Sequence, residues 1–238
     1  MLKLFSVILF LWLLISLFGN NKLVTPNQLL IKEEAKKEVL KGLNKAPLGL
    51  PLMHHPKDNL PTAKKIALGR KLFMDRRLSH NNTISCGMCH VPEQGFTSNE
   101  LATAVGIEGR SHLRNSPTIF NVGYYQFLFH DGREFTFEDQ VIGPMLAFNE
   151  MGNPSIGHVI EKVRNIDDYA GLFEAVYGGG VTLERLSQAI AAYERSFVSG
   201  NARFDQWHYG GDKNVLSQEE INGFDIFTGK GGCVTCHS

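Results

Sequence analysis

Cys86-Gly87-Met88-Cys89-His90 and Cys233-Val234-Thr235-Cys236-His237 are two copies of one pentapeptide, and together they hold all 4 cysteines of the 238-residue chain. C-x-x-C-H is the attachment motif of c-type haem. The two thiols form thioethers with the haem vinyl groups, and the adjacent histidine becomes the proximal iron ligand. One turn of backbone sets both sulfurs at the porphyrin edge and drops the imidazole beneath the iron. Two other chemistries use these residue types. A thiol redox pair has no need of the following histidine. A zinc site takes cysteine and histidine but does not require C-x-x-C-H twice. The pattern predicts two covalent haems, one on Cys86, Cys89 and His90 and one on Cys233, Cys236 and His237.

The sequence around the motifs predicts an all-α fold. Lys32–Leu43 alternates charged and aliphatic residues at helical spacing, and a Pro-, Gly- and His-containing linker (Pro47 to Pro56) follows. Thr62 caps an expected helix from Ala63 to Met74, with Ile66, Leu68, Leu72 and Phe73 on its apolar side. Pro92 to Asn121 is rich in glycine and lacks periodicity, so it reads as a long loop of the kind that often carries function. A helix is expected from Thr136 or Glu138, bent or ended by Gly143-Pro144. Shorter helices are expected over Ser155–Asn165 and Asp168–Tyr177, before the break Gly178-Gly179-Gly180. Thr182 opens the strongest helical pattern, expected to run to about Val198 through Leu186, Ile190, Tyr193 and Phe197. Ser217-x-x-Glu220 has the form of a capping box. The aromatic run Phe120, Tyr124, Tyr125, Phe127 and Phe129 reads as core around the first haem.

Lys3 and the apolar run Leu4–Phe18 read as a signal-peptide start. The run is short for a membrane span, which needs about 17–25 residues. Leu17 and Phe18 stand where small residues favour cleavage, so an uncleaved anchor in the inner membrane stays open. Either way the body is expected in the periplasm, where c-type haem is attached. The 24 basic and 24 acidic residues balance, so no global field favours nucleic acid or acidic lipid. The expected organisation is 1–20 leader or anchor, 21–60 extension and linker, 61–200 first haem domain and 201–238 start of a second. The sequence stops at Ser238, one residue past His237, so the second haem domain is expected to be incomplete in this chain.

From about Leu60 onward the residues resemble the bacterial dihaem cytochrome c peroxidases and their methylamine-utilisation-type relatives. Leu68-Gly69-Arg70-Lys71-Leu72-Phe73 with Asp75-Arg76-Arg77-Leu78-Ser79 resembles the family's approach to its first haem. Gly95-Phe96-Thr97, Arg114-Asn115-Ser116-Pro117-Thr118 and Asp131-Gly132-Arg133 are further landmarks. So are Gln140, Gly143-Pro144, Glu150-Met151-Gly152, Ala191-Ala192-Tyr193-Glu194-Arg195 and Phe204-Asp205. The fold implied is two cytochrome c-like haem domains.

The resemblance also implies a division of labour. The haem on His90 would be the peroxidatic site and that on His237 the entry point for electrons. Hydrogen peroxide would be reduced to water with electrons from a small donor protein, a cytochrome c or a cupredoxin. Glu150 matches the family's distal carboxylate, which moves the proton between the peroxide oxygens. Gln140 matches a polar neighbour on the same side. Asn115 matches a residue giving oxygen to a calcium ion between the domains, a hard cation suited to amide oxygen. The resemblance leaves a homodimer open. Two departures stand out. Several members carry a histidine after the first haem that blocks the resting iron, whereas Val105-Gly106-Ile107-Glu108 has none, and His112 lies nearer Arg114 than that pattern expects. The tryptophan before Asp-Gly-Arg is His130 here. Two other functions compete: an oxidase of the methylamine-utilisation type acting on a protein substrate, and a dihaem electron carrier or sensor. Taken singly, Glu150 could be a solvated carboxylate, Asn115 a turn former, and His112, His130, Arg114 and Arg133 packing or surface residues.

Overall fold

Among the described residues Thr62 begins the first long helix, α1 (Ala63–Phe73), and its hydroxyl accepts the Lys65 backbone N–H at 3.1 Å. The computed structural model describes residue 40, residue 43 and residues 45–237. The leader over Leu4–Phe18 and nearly all of the helix expected over Lys32–Leu43 lie outside the described residues. After α1 come α2 (Cys86–Cys89), α3 (Phe137–Gln140), α4 (Ile142–Leu146), α5 (Ile156–Arg164), α6 (Leu172–Tyr177), α7 (Leu183–Glu194), α8 (Arg203–His208) and α9 (Gln218–Thr228). Among the described residues no strand forms. Isolated antiparallel bridges instead pinch the loops at Val91–Thr97, Val105–Ser111 and Leu128–Glu134.

The core is the crossing of α1 on α7. Leu68, Leu72 and Phe73 of α1 meet a core that takes Leu186, Ala189 and Ile190 from α7. Full burial of side chains of this size stabilises by about 1.5–3 kcal/mol each. Gly69 sets how close the two helices come, because a Cβ there would lie 1.9 Å from the Ala189 carbonyl oxygen. From this crossing Phe73 reaches the first motif. Its ring is 5.3 Å from Tyr193, 6.4 Å from Phe96 and 6.4 Å from His90.

The expected helices form with some changes of bounds. Thr136, Ser155, Thr182 and Ser217 all cap as their positions suggest, each side chain accepting a backbone N–H three residues on. Gly143-Pro144 lies within α4, and the helical stretch divides just before it, at Val141. The helix expected over Asp168–Tyr177 is divided, because Gly171 takes a left-handed φ of 74° between a turn at Asp167–Tyr169 and α6. α7 ends at Glu194, short of the expected Val198. The Ser196 hydroxyl donates to the Tyr193 carbonyl at 2.6 Å and competes with the helical ladder. Phe197 then leaves the helix to pack 4.1 Å from Phe96, centroid to centroid. α8 was not expected. It pairs with α9 through Phe204 and Trp207 on Phe224, with centroids at 5.1 and 5.5 Å. The aromatic run is also less buried than expected. Tyr125 is 65% and Phe127 54% exposed, and Phe127 packs edge-on against Phe135, which is also exposed.

Candidate active site around the first motif

Cys86 to His90 forms one helical turn, closed by the His90 N–H donating to the Cys86 carbonyl at 2.8 Å. The approach to it is fixed by Ser79, whose hydroxyl oxygen accepts the Thr83 and Ile84 N–H groups at 3.0 Å each. The His90 imidazole is oriented from behind. Its Nδ1 lies 3.0 Å from the Phe96 carbonyl oxygen and 3.0 Å from that of Pro117. Two acceptors at Nδ1 place the proton there and leave the Nε2 lone pair free, which is how a metal-ligating histidine is held. Burial also lowers the His90 pKa, opposed by these two carbonyls, and favours the neutral ring a metal binds. Burial pushes the Cys86 thiol up, and Glu194 adds to it; the Cys89 thiol is pushed up to about 11, by burial and then by Glu150. A thiol redox pair needs the opposite shift. Among the described residues no three His, Cys, Asp or Glu side chains gather as a structural zinc site requires. The turn, the paired sulfurs and the free Nε2 together fit a c-type haem.

Glu150 is held by its backbone. Its N–H donates to the Ala147 carbonyl and its own carbonyl accepts the Ile107 N–H, both at 2.9 Å. The loop before Ile107 approaches closely because Gly106 has no Cβ, which would sit 2.1 Å from the Asn149 carbonyl oxygen. Next door, the His80 N–H donates to the Met151 carbonyl at 2.9 Å, and Asn153 Nδ2 donates to the Leu78 and Met145 carbonyls at 2.9 Å each. The Glu150 segment is thereby tied to the segment leading into Cys86. The carboxyl itself is half-buried, and among the described residues no side chain hydrogen-bonds to it. Burial raises its pKa, and the Arg133 charge opposes the rise.

The remaining candidates fall into place around this centre. Gln140 closes α3 and is half-buried. Ile107 is buried against the Glu150 backbone, in the loop where the resemblance places a blocking histidine. His112 lies close enough to lower the His90 pKa by its charge, and its own Nε2 is buried without a hydrogen-bond partner. His130 is exposed, with Nε2 at 3.0 Å from the Asn115 carbonyl oxygen. The Asn115 amide donates to the Ser98 carbonyl at 2.8 Å, and its Oδ1 is 3.3 Å from the Thr97 hydroxyl. Arg114 and Arg133 both pair with Asp131, at 2.9 and 2.8 Å, and hold that exposed carboxyl at about 2.

The second motif makes the same turn, with the His237 N–H donating to the Cys233 carbonyl at 3.0 Å. Cys233 and Cys236 are exposed at the end of α9, and the His237 ring is 6.4 Å from Phe227.

A buried polar cluster lies beside the site, and only its Glu194-Arg195 pair stood among the sequence landmarks. Glu138 receives both Arg195 guanidinium nitrogens, at 2.6 and 2.5 Å, and the Asn59 amide at 2.5 Å. Lys65 Nζ donates to Asn59 Oδ1 at 2.8 Å. Glu194 is buried at the end of α7. A signal for it was present: Glu194 follows Ile190 by four and Ser187 by seven, which puts it on the buried face of its helix.

A helical fold that holds a C-x-x-C-H turn with its histidine braced at Nδ1 defines a c-type cytochrome. Residues 63–214 match the family model described as di-haem cytochrome c peroxidase. The chain belongs to this family, whose members bind two c-type haems, equal in number to its two motifs. It is 37% identical over 201 residues to the methylamine utilization protein MauG of Methylorubrum extorquens, covering 84% of this chain and 55% of that protein. It is 40% identical over 199 residues to the cytochrome-c peroxidase IdrP1 of Denitromonas iodatirespirans, covering 81% and 51%. Among solved structures, a MauG-like protein associated with microbial copper homeostasis superimposes with a TM-score of 0.70 at 29% identity, over 78% of this chain and 54% of that one. The chain thus spans about half the length of the relatives it matches.

Proposed function

We propose that this protein reduces hydrogen peroxide to water, with two electrons from a small cytochrome c or cupredoxin, outside the cytoplasm. One observation carries the reading: Glu150 presents a half-buried carboxyl, free of side-chain hydrogen bonds, on a segment tied to the Cys86–His90 turn. An electron carrier has no use for such a group. The bound haem supplies an iron that binds peroxide and passes electrons to it. His90 offers Nε2 to that iron while Phe96 and Pro117 keep its proton at Nδ1. The Glu150 carboxylate would take a proton from one oxygen of hydrogen peroxide and give it to the other, so that cleavage of the O–O bond releases water. Its raised pKa brings it nearer the working pH, where a group can both take and give a proton. Arg133 stops the rise from going further.

Haem content is the first test. Pyridine haemochrome assay with acid–acetone extraction on full-length protein is expected to give two non-extractable haems per chain. One haem, or haem that extracts freely, would remove the basis of the reading.

The resting state is the second. With Ile107 beside Glu150, the first iron is expected to be open on its distal side in the oxidised protein, and electron paramagnetic resonance is expected to show a high-spin ferric signal. A purely low-spin pair would mean that a side chain ligates the first iron, with His112, whose Nε2 lacks a partner, as the candidate to replace first.

A further inference from the structure

Gly95-Phe96-Thr97 and Ser116-Pro117-Thr118 belong to sequence landmarks that the peroxide chemistry leaves without a role. The fold brings the two triplets together behind His90. The middle residue of each gives its carbonyl to His90 Nδ1, Phe96 and Pro117 at 3.0 Å each. The outer residues tie the triplets to one another in a reciprocal pattern. The Thr97 hydroxyl donates to the Ser116 carbonyl at 2.5 Å, and the Thr118 hydroxyl donates to the Gly95 carbonyl at 2.6 Å. Each threonine thus bonds to the residue that precedes the acceptor of the other triplet.

Neither acceptor is placed by regular secondary structure. Phe96 has a φ of 57°, in the left-handed region that bulky side chains avoid, and such a residue keeps its conformation only where its surroundings over-determine it. Its N–H donates to the Val91 carbonyl at 2.9 Å, so its own turn holds one side of that peptide. Pro117 has no N–H, and among the described residues no backbone–backbone hydrogen bond reaches Ser116, Pro117 or Thr118. Two further ties act on either side of this stretch. The Asn115 amide donates to the Ser98 carbonyl at 2.8 Å, and the Asn121 amide donates to the Ser199 carbonyl at 2.8 Å. What fixes the Pro117 peptide against Phe96 is the pair of threonine hydroxyls.

We propose that Thr97 and Thr118 are positioning residues for the first haem: their hydroxyls clasp the two triplets so that both carbonyls stay on His90 Nδ1. Carbonyl acceptors at Nδ1 push electron density onto the imidazole and make Nε2 a stronger donor to the iron. A stronger donor favours the oxidised iron, so the clasp holds the reduction potential of the first haem down. Thr97 is half-buried and bonds to buried Ser116, whereas Thr118 is exposed. Water therefore competes less for the Thr97 bond, and its share is the larger. The proposal rests on haem attachment at His90 and not on peroxide reduction.

The test is spectroelectrochemical titration and resonance Raman spectroscopy of the haem-loaded full-length protein. Thr97→Val/Thr118→Val removes both hydroxyls and keeps the side-chain shape. It is expected to favour reduction of the first iron by up to about tenfold, the size of one net hydrogen bond, which is about 59 mV for a one-electron couple. The iron–histidine stretch of the reduced first haem is expected to fall in frequency with it, while the potential of the second haem keeps its wild-type value. Thr97→Val alone is expected to move both readings further than Thr118→Val alone. Thr97→Ser/Thr118→Ser retains the hydroxyls and is expected to restore both. An unchanged potential and stretch in the double valine variant overturns the proposal. So does a shift of the same size in the serine variant, which would assign the effect to the lost methyl contacts, or at the second haem, which would mark a general loosening. Should the double valine variant fail to hold haem, the two single valine variants decide, and wild-type readings in both overturn the proposal.

Discussion

Glu150→Gln is expected to slow the reaction of the haem-loaded protein with peroxide by roughly 10²-fold or more, within the range that positioned proton transfer contributes. The substitution keeps the shape of the side chain. Its backbone bonds to Ala147 and Ile107 do not involve the carboxyl, so the loop is expected to stay in place. Both haems are expected to remain attached, because neither C-x-x-C-H turn bonds to the Glu150 side chain. The loss belongs to the step between the first haem and peroxide, and electron entry through the second haem is expected to be unchanged. The pH dependence has a definite sign. Burial raises the carboxyl pKa, so the base form is lost as pH falls, and it is lost earlier than for an exposed glutamate. The acid limb of the wild-type rate profile is therefore expected above the ordinary glutamate range, and absent from the variant. Stopped-flow mixing with peroxide reads both quantities. An unchanged rate would make Glu150 a structural residue, and the electron-carrier reading would then gain.

What the sequence made legible was local. Thr62, Thr136, Ser155, Thr182 and Ser217 each cap a helix through an atom three residues away, so the start signals survive without knowledge of the fold. The Cys86–His90 turn is equally self-contained, since its closing hydrogen bond runs between its own first and last residues. Features that depend on distant partners were read less well. The end of α7 depends on Phe197 turning toward Phe96, which is far away in sequence. α8 is a short amphipathic piece whose stability comes from Phe224 on α9 and from Arg203 pairing with Glu220 at 2.8 Å. Within the aromatic run Phe120 packs on Phe96 and Phe197 while Tyr125 and Phe127 turn outward, a division that local hydrophobicity does not encode. Residue types marked Glu150 as a candidate only through the family landmark Glu150-Met151-Gly152. Its physical credentials, burial and freedom from partners, are tertiary. Glu194 shows the reverse case: its position on the apolar face of α7 was visible, but the diversion of Arg195 to Glu138 was not.

That diversion gives the largest stability effect expected in the molecule. Arg195→Met is expected to destabilise the folded protein by about 3–5 kcal/mol, the cost of removing one partner of a buried ion pair. Arg195 is 6% exposed and bonds to both Glu138 oxygens, so its removal leaves the Asn59 amide as the remaining side-chain partner of the Glu138 carboxylate among the described residues. It also removes the one charge that favours ionisation of Glu194. One half-buried and one buried carboxyl then face a cluster with less positive charge. The sign with pH follows from Glu138. Burial alone would raise its pKa, but the bonds to Arg195 outweigh that and hold the folded value below the ordinary one. Its contribution is thus present above the unfolded carboxylate pKa and is lost as pH falls through the folded value. Arg195→Met lacks that contribution at every pH, so the difference from wild type is expected to be full near neutrality and to shrink as the solution is acidified below about pH 4.5, the reference value for Glu138. Glu194 has the opposite dependence on pH. Its folded pKa is raised, so its contribution is complete below the unfolded pKa and declines as pH rises through about 8. The double variant Glu138→Gln/Arg195→Met is expected to recover part of the loss, because the stranded charge is gone and contacting residues do not behave additively. Denaturant melts of wild type, Glu138→Gln, Arg195→Met and the double variant at neutral and acid pH read the whole cycle. Equal losses for the single and double variants would mean that the guanidinium acts through its packing on Phe137, where it lies 5.3 Å from the ring, and not through its charge.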